Sequence, residues 1–276
     1  MNRIDRTFRA LRKEGEAAFI PFLTAGDPDL DTTEEAIIGA EKNGADIIEL
    51  GFPFSDPVAD GPTIQASYTR VLETGQSCED VFRLVERVRE RSSIAIVAMI
   101  SYSLVYRMGA GAFLDRACAA GLDGATIPDL PVEESCGLHS AAGERDFHLV
   151  SFVTPATTPE RRAEVVDMAG GFIYYIAVRG ITGERSNLPD DLAANLHELK
   201  ELTDVPVAVG FGISRPEQAS VVAREADGVI VGSAIVRRML AAHEKAEDAA
   251  DAAIRFIGEM AEATKSVHPR SREGNN

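Results

Sequence analysis

The chain of 276 residues is 45% hydrophobic and 26% charged, which predicts one globular domain of the length an α/β barrel often reaches. Apolar runs stay well short of the roughly 18 residues that span a bilayer, and the mixed-charge N-terminus MNRIDRTFRALRKEGEA lacks a signal-peptide core, so no membrane role and a cytoplasmic location are expected. A formal net charge of −16 repels nucleic acid and anionic lipid, which removes both from the expected partners.

In chain order, residues 4–13 read as an amphipathic helix placed to close the floor of a barrel. The run AAFIPFLTAG (17–26) predicts a first strand, DTTEEAIIGAEKNGA (31–45) a helix and DIIELGF (46–52) a second strand. CEDVFRLVERVRERS (78–92) is helical, and IAIVAMIS (94–101) predicts a third strand that ends in ISYSLVY (100–106). After the helix GAFLDRACAAGL (111–122) come the strands DGATIPDL (123–130), FHLVSFVTP (147–155) and FIYYIAV (172–178). VPVAVGFG (205–212), the helix RPEQASVVAREA (215–226) and DGVIVGS (227–233) complete eight strand–helix units. Near-continuous apolar strands alternating with amphipathic helices signal a parallel sheet covered by helices. That number of units favours an α/β fold of the closed (β/α)8 TIM-barrel type, with an extra N-terminal helix, over an open doubly wound sheet. Residues 1–265 are expected to form the barrel domain, and the polar, aperiodic end of the chain, residues 266–276, a disordered tail.

The residue inventory narrows the chemistry. Lys13, Lys42, Lys200, Lys245 and Lys265 fall in helical or tail segments, which leaves no lysine placed for an imine mechanism. His139, His197, His243 and His268 fall on helices or the tail and His148 near a strand start, so no catalytic metal site is predicted. Cys78, Cys118 and Cys136 lack CxxC spacing and read as free thiols. The scarcity of lysine beside so much acid suits a halophilic source, where salt screens self-repulsion; an ordinary acidic enzyme is the plainer reading.

In a barrel the chemistry sits where strands end and βα loops begin. Glu49 interrupts the apolar run DIIELGF at a position that shares a face with Ile47 and Gly51, pointing inward. Partial desolvation there raises a carboxyl pKa toward working pH, which suits a general acid–base; the alternative is a glutamate paired with a neighbouring arginine. Asp60 lies on the loop that follows, although ADG is also a common turn signal. Gly210 and Gly212 of GFGIS, with Gly232 and Ser233 of VGSAIV, occupy the loops after strands seven and eight. There backbone amides at a helix N-terminus often cradle phosphate, and GITG (180–183) adds a third side.

Together PFLTAGDP (21–28), IIELGFPFSDPVADGPTIQ (47–65), PDLPVEES (128–135), GITG, GFGIS and ADGVIVGSAIV (226–236) resemble the tryptophan synthase α subunit family, in the same order and spacing. The resemblance implies retro-aldol cleavage of indole-3-glycerol phosphate to indole and glyceraldehyde 3-phosphate. It implies Glu49 as acid–base, Asp60 as the carboxylate that accepts from the indole N–H, and Tyr174 as the active-site tyrosine. It further implies Thr182 as the partner of that aspartate on lid closure, Phe22 and Ile100 in the indole pocket, and Gly183 in the phosphate cradle. No cofactor is implied in this subunit. The implied partner is a pyridoxal-phosphate β subunit in an αββα heterotetramer, contacted through Ser55, Asp56 and Pro57, with GERSNLPDDL (183–192) as the mobile lid.

Three stretches depart from the family pattern. Ser103 and Leu104 replace the Asn-Pro that follows tyrosine, AVRG brings Arg179 where the family has a serine-containing lead into GITG, and TPATTPE reorders Ala-Pro-Thr-Thr. Two other readings stand beside the lyase: a subunit that mainly activates its partner, against which intact Glu49 and Asp60 argue, and another phosphosugar barrel such as an isomerase.

Overall fold

The computed structural model describes residues 1–57, 60–177, 191–210 and 212–267. Its strands are β1 (Ala18–Thr24), β2 (Ile47–Gly51), β3 (Ala95–Met99), β4 (Gly124–Thr126), β5 (His148–Val153), β6 (Ile173–Ile176), β7 (Val207–Gly210) and β8 (Gly228–Val231). They pair in parallel in chain order, and β8 returns to β1 with Ala18 opposite Gly228. The sheet is therefore a closed TIM barrel, and the open doubly wound alternative is excluded.

The helices that cover it are α1 (Arg3–Glu14), α2 (Leu30–Lys42), α3 (Pro62–Glu73), α4 (Cys78–Arg89), α5 (Tyr102–Met108), α6 (Ala110–Ala120), α7 (Cys136–Gly143), α8 (Pro159–Met168), α9 (Leu192–Leu202), α10 (Pro216–Ala223), α11 (Ser233–Glu244) and α12 (Ala249–Lys265). Strand alternation divides the apolar side chains into two cores. Outward residues such as Ile48, Leu50 and Tyr175 pack under the helices, whereas Ile20, Ile47, Val97, Val150 and Tyr174 fill the barrel. As the sequence suggests, α1 closes the floor: Ile4, Phe8 and Leu11 join the inner cluster. Asn2 starts that helix by accepting from Ile4 N at 2.9 Å and donates to the carbonyls of Asp123 and Asp146.

Two strand ends differ from expectation. The third strand stops at Met99, and YSLVYRM is the helix α5 rather than a strand end. The cause is tertiary: Asp129 accepts from Tyr102 N at 2.7 Å and from Ser101 Oγ at 2.6 Å, which turns the chain into a helix. The fourth strand is only Gly124–Thr126, since Pro128 has no N–H for a ladder and Asp129 is committed to that cap. The tail from residue 268 onward lies outside the described residues.

The floor is fixed by three aspartates in the turns that lead into β2, β4 and β8. Asp46 accepts from Phe19 N at 2.8 Å, Asp123 from Ile96 N at 2.9 Å and Asp227 from Val207 N at 2.8 Å. Each therefore ties the start of its own strand to the start of the preceding one. Each is also held by a cation from the helix layer: Lys265 on Asp46, Arg89 and Arg3 on Asp123, and Lys200 on Asp227. His148 completes the floor by meeting Asp5 of α1 at 2.9 Å.

Asp123 is the most heavily used of the three, with its side chain only 4% exposed. Asp123→Ala leaves a buried guanidinium and a buried amide short of an acceptor and should cost about 3 kcal/mol in urea unfolding; Asp123→Asn, which keeps one acceptor, should cost clearly less.

Candidate active site

At the C-terminal end of the barrel, a cavity of about 330 Å³ lies among Phe22, Glu49, Asp60, Met99, Tyr174 and Ile230, and its mouth is formed by Gly212, Ser214, Gly232, Ser233 and Arg237. The size falls within the roughly 300–1,000 Å³ range of small-molecule pockets. A narrower cavity adjoins it through Asp60 and Met99 and runs past Tyr68 and Ile100 to Asp56 and Pro57. A larger hollow of about 470 Å³ lies among β4, β5, α7 and α8, but it holds neither Glu49 nor the glycine loops.

Glu49 stands opposite Phe22 on β1 and Val97 on β3, at an interior position of the barrel wall. It is 2% exposed, and Thr126 Oγ1 lies 3.1 Å from its Oε1. Desolvation pushes its pKa up to about 8; the Thr126 hydrogen bond opposes that rise and the neighbouring Asp60 adds to it. No ion pair to Glu49 occurs among the described residues, and Arg179 lies outside them. Tyr174 faces the same cavity, as alternation predicts, while Tyr175 points into the outer core.

Asp60 is held by its loop and by α3. Gln65 donates to Asp60 O at 2.7 Å and to Pro57 O at 3.4 Å, so the glutamine that ends the ADGPTIQ signature fixes the loop's carbonyls. The helix is anchored in turn to the loop after β1: Ser67 Oγ and Arg70 Nη2 each donate to Asp27 Oδ2 at 2.6 Å. Burial and the nearby Asp129 push the Asp60 carboxyl up to about 7. Between these elements, Gly51 is required by space. A Cβ there would lie 2.6 Å from Phe22 Cζ and 2.7 Å from Tyr68 Oη.

The sequence-predicted phosphate loops divide. Gly212, with φ +83°, Gly232 and Ser233 line the cavity mouth, where α11 begins and its first amides lack intrahelical acceptors. Gly210 instead gives room to a ring: a Cβ there would fall 2.4 Å from Tyr174 Oη. Phe22 shares the cavity with Glu49, and Ile100 lines the narrower one. Asp56 is exposed and accepts from Ser55 Oγ at 2.7 Å. Arg179, Thr182, Gly183 and most of GERSNLPDDL lie outside the described residues. Among those described, no group of three or more His, Cys, Asp or Glu is placed to hold a metal, and no helix is long and apolar enough to cross a membrane. Four residues escaped the sequence reading: Thr126, Tyr68, Asp129 and Arg237. Thr126 had a signal available, a polar side chain in an otherwise apolar strand, as at Glu49.

Residues 8–265 match the protein family described as Tryptophan synthase alpha chain. The tryptophan synthase alpha chain of Rhodopirellula baltica is 45% identical over 264 residues, which cover 95% of each protein. The chain belongs to the tryptophan synthase alpha chain family. A crystal structure of tryptophan synthase subunit alpha from Legionella pneumophila superimposes with a TM-score of 0.90 at 33% identity, covering 97% of this chain and all of that one. A structure from Pyrococcus furiosus, described as the tryptophan synthase a2b2 complex, gives 0.81 at 38% identity over 89% of this chain and 98% of its own. As a member of the tryptophan synthase alpha chain family, the chain is a lyase of tryptophan biosynthesis that cleaves indole-3-glycerol phosphate to indole and glyceraldehyde 3-phosphate.

The raised Glu49 carboxyl has a consequence for folding. Its ordinary pKa is 4.5 and its folded value about 8, so between these pH values only the folded state keeps the proton and rising pH favours unfolding. Glu49→Gln removes that dependence. In calorimetric melts the variant's gain in Tm should be smallest below pH 4.5 and should grow as the pH approaches 8.

Proposed function

We propose that Glu49 is the acid–base group of the cleavage, Asp60 the carboxylate that holds the indole N–H, and the start of α11 the site of the substrate phosphate. The observation that carries this reading is a carboxyl buried in the cavity wall and held in its acid form to near-neutral pH, with a second carboxyl beside it.

The steps follow from those positions. The acid form of Glu49 donates its proton to indole C3, which places positive charge on the ring. Asp60, ionised, accepts from the indole N–H and stabilises that charge. Glu49, now a carboxylate, takes the proton of the glycerol hydroxyl next to the ring. The carbon–carbon bond breaks as the carbonyl forms, and its electron pair returns to the ring to give indole. Tyr174 and Phe22 confine the indole within the wall, while the amides after Gly232, the Ser233 hydroxyl and the Arg237 cation provide for the phosphate. Thr182 and Gly183 are proposed to complete the aspartate contact and the cradle, as the family resemblance implies.

The partner proposed is a β subunit carrying pyridoxal phosphate in an αββα heterotetramer, and the reaction on this chain uses side chains alone. The loop that carries the exposed Asp56 and the half-exposed Pro57 is proposed as the face toward that partner, as the family resemblance implies. A cytoplasmic setting follows for an enzyme of amino-acid synthesis. The acidic, lysine-poor composition supports a halophilic source.

Release of indole from indole-3-glycerol phosphate by purified protein, alone and with a β subunit, tests the reading. Glu49→Gln should slow it about 100- to 10,000-fold, and a loss of only a few-fold contradicts the acid–base role. Asp60 must be ionised and Glu49 protonated at the outset, so kcat/KM should rise through about pH 7, fall through about pH 8 and peak between. For the halophilic reading, activity and Tm should both increase in molar KCl; a fall in either contradicts it.

A further inference from the structure

Thr126 lies at the interior of β4 with no solvent exposure, two strands away from Glu49. Its register partners are Met99 on β3 and Val150 on β5, both apolar, so the position offers a hydroxyl where packing alone asks for a hydrocarbon. A buried hydroxyl needs a partner, and this one has two acceptors within reach: Glu49 Oε1 at 3.1 Å and the carbonyl of Ala98 at 3.4 Å. Glu49 and Thr126 come from even-numbered strands, which alternate with odd ones in supplying the interior layers of such a barrel.

The two acceptors differ in one respect: the carbonyl is an acceptor always, whereas the carboxyl titrates. A hydroxyl carries one donor and two lone pairs and rotates freely about its C–O bond. When Glu49 is a carboxylate, Thr126 can donate to it. When Glu49 is an acid with its proton on Oε2, Thr126 can still donate to Oε1, which leaves the carboxyl O–H free for a substrate atom. No other side chain is recorded in a hydrogen bond with Glu49 among the described residues.

We propose that Thr126 is the positioning residue for Glu49, donating to Oε1 in both protonation states so that Oε1 stays in one place and Oε2 carries the proton that Glu49 gives up and regains. The proposal rests on the reading of Glu49 as the acid–base group. It explains how one carboxyl meets indole C3 as an acid and the glycerol hydroxyl as a base without swinging between two rotamers. The proton moves from Glu49 to C3 and a second returns from the glycerol hydroxyl to Glu49, so Thr126 ends with its own proton. Other ionisable groups face the carboxyl: Asp60 from the loop after β2, Tyr68 from α3 and Tyr174 from β6. Arg237 of α11 lines the same cavity. Of these the two tyrosines stay neutral through the working range, because burial drives their pKa values upward.

The test replaces Thr126 by the nearly isosteric Val, by Ser and by Ala, and reads two quantities. The first is the pKa of Glu49 itself, followed in the ligand-free protein by the side-chain carboxyl ¹³C shift and assigned by its loss in Glu49→Gln. The second is the pH profile of indole release. Removing a donor from the carboxylate disfavours its ionised form, so Thr126→Val should raise the Glu49 pKa by about half to one unit. It should also lower kcat about tenfold with KM little changed, and Thr126→Ser should restore both. Thr126→Ala should move the pKa in the same direction, which keeps the test intact if the Val variant does not fold. A folded Thr126→Val or Thr126→Ala protein with an unmoved Glu49 pKa overturns the proposal. A shifted pKa with an unshifted rate profile upholds the Thr126–Glu49 coupling and overturns the acid–base reading instead.

Discussion

The site depends on one constraint, the burial of a single carboxyl in the wall of an apolar barrel. Glu49 has no cation recorded against it among the described residues, and its recorded hydrogen bond is to a hydroxyl. At 2% exposure the anion is poorly solvated, so the acid form persists toward neutral pH. Every neighbour can be understood from that: Phe22 and Met99 keep the wall apolar, Gly51 leaves room for Phe22 and Tyr68, and Asp60 raises the Glu49 value further. The same burial that, on the proposed reading, readies the group for proton transfer lowers stability above its ordinary pKa, a conflict common at active sites.

The barrel separates the two kinds of electrostatics by end. At the floor, Asp46, Asp123 and Asp227 are each paired with a cation and a backbone amide, and α1 seals the interior. At the opposite end no such pairing of Glu49 or Asp60 occurs among the described residues, and Asp129 adds a like charge near Asp60. Paired carboxylates therefore hold strands in register at the floor, and the carboxyls that line the cavity at the other end are the ones proposed to meet the substrate. The Asp60 loop is positioned through α3: Gln65 of that helix holds its carbonyls, and Asp27 on the first loop fixes the helix through Ser67 and Arg70.

Much of this was legible in the chain, for reasons that are local. A glutamate in DIIELGF violates an apolar pattern at an inward register, and the strand period alone indicates its direction. Glycines at the ends of the last two strands mark a helix start open to an anion, and Gly232 and Ser233 stand there. What was hidden depends on pairings across the barrel. Thr126 matters because it meets a strand two places away, and Asp129 because it caps α5 across a separate loop. That cap also explains why SYSLVY, with two tyrosines and a valine, reads as a strand end but folds as helix. Gly210 shows the converse, since its place in GFGIS suggests an anion loop while its lack of a side chain serves the Tyr174 ring. The floor aspartates were visible only as turn residues in ADI, LDG and ADG, because their acceptor role needs the preceding strand.

The most direct measurement is the protonation state of Glu49 at neutral pH in the unliganded protein. Infrared spectra of isotope-labelled protein at pH 7, with the Glu49→Gln spectrum subtracted, report the carbonyl stretch of one carboxyl group. The account predicts that a protonated-acid band attributable to Glu49 is present at that pH and disappears as the pH rises through about 8. A band that has already vanished near the ordinary value of 4.5 would contradict it.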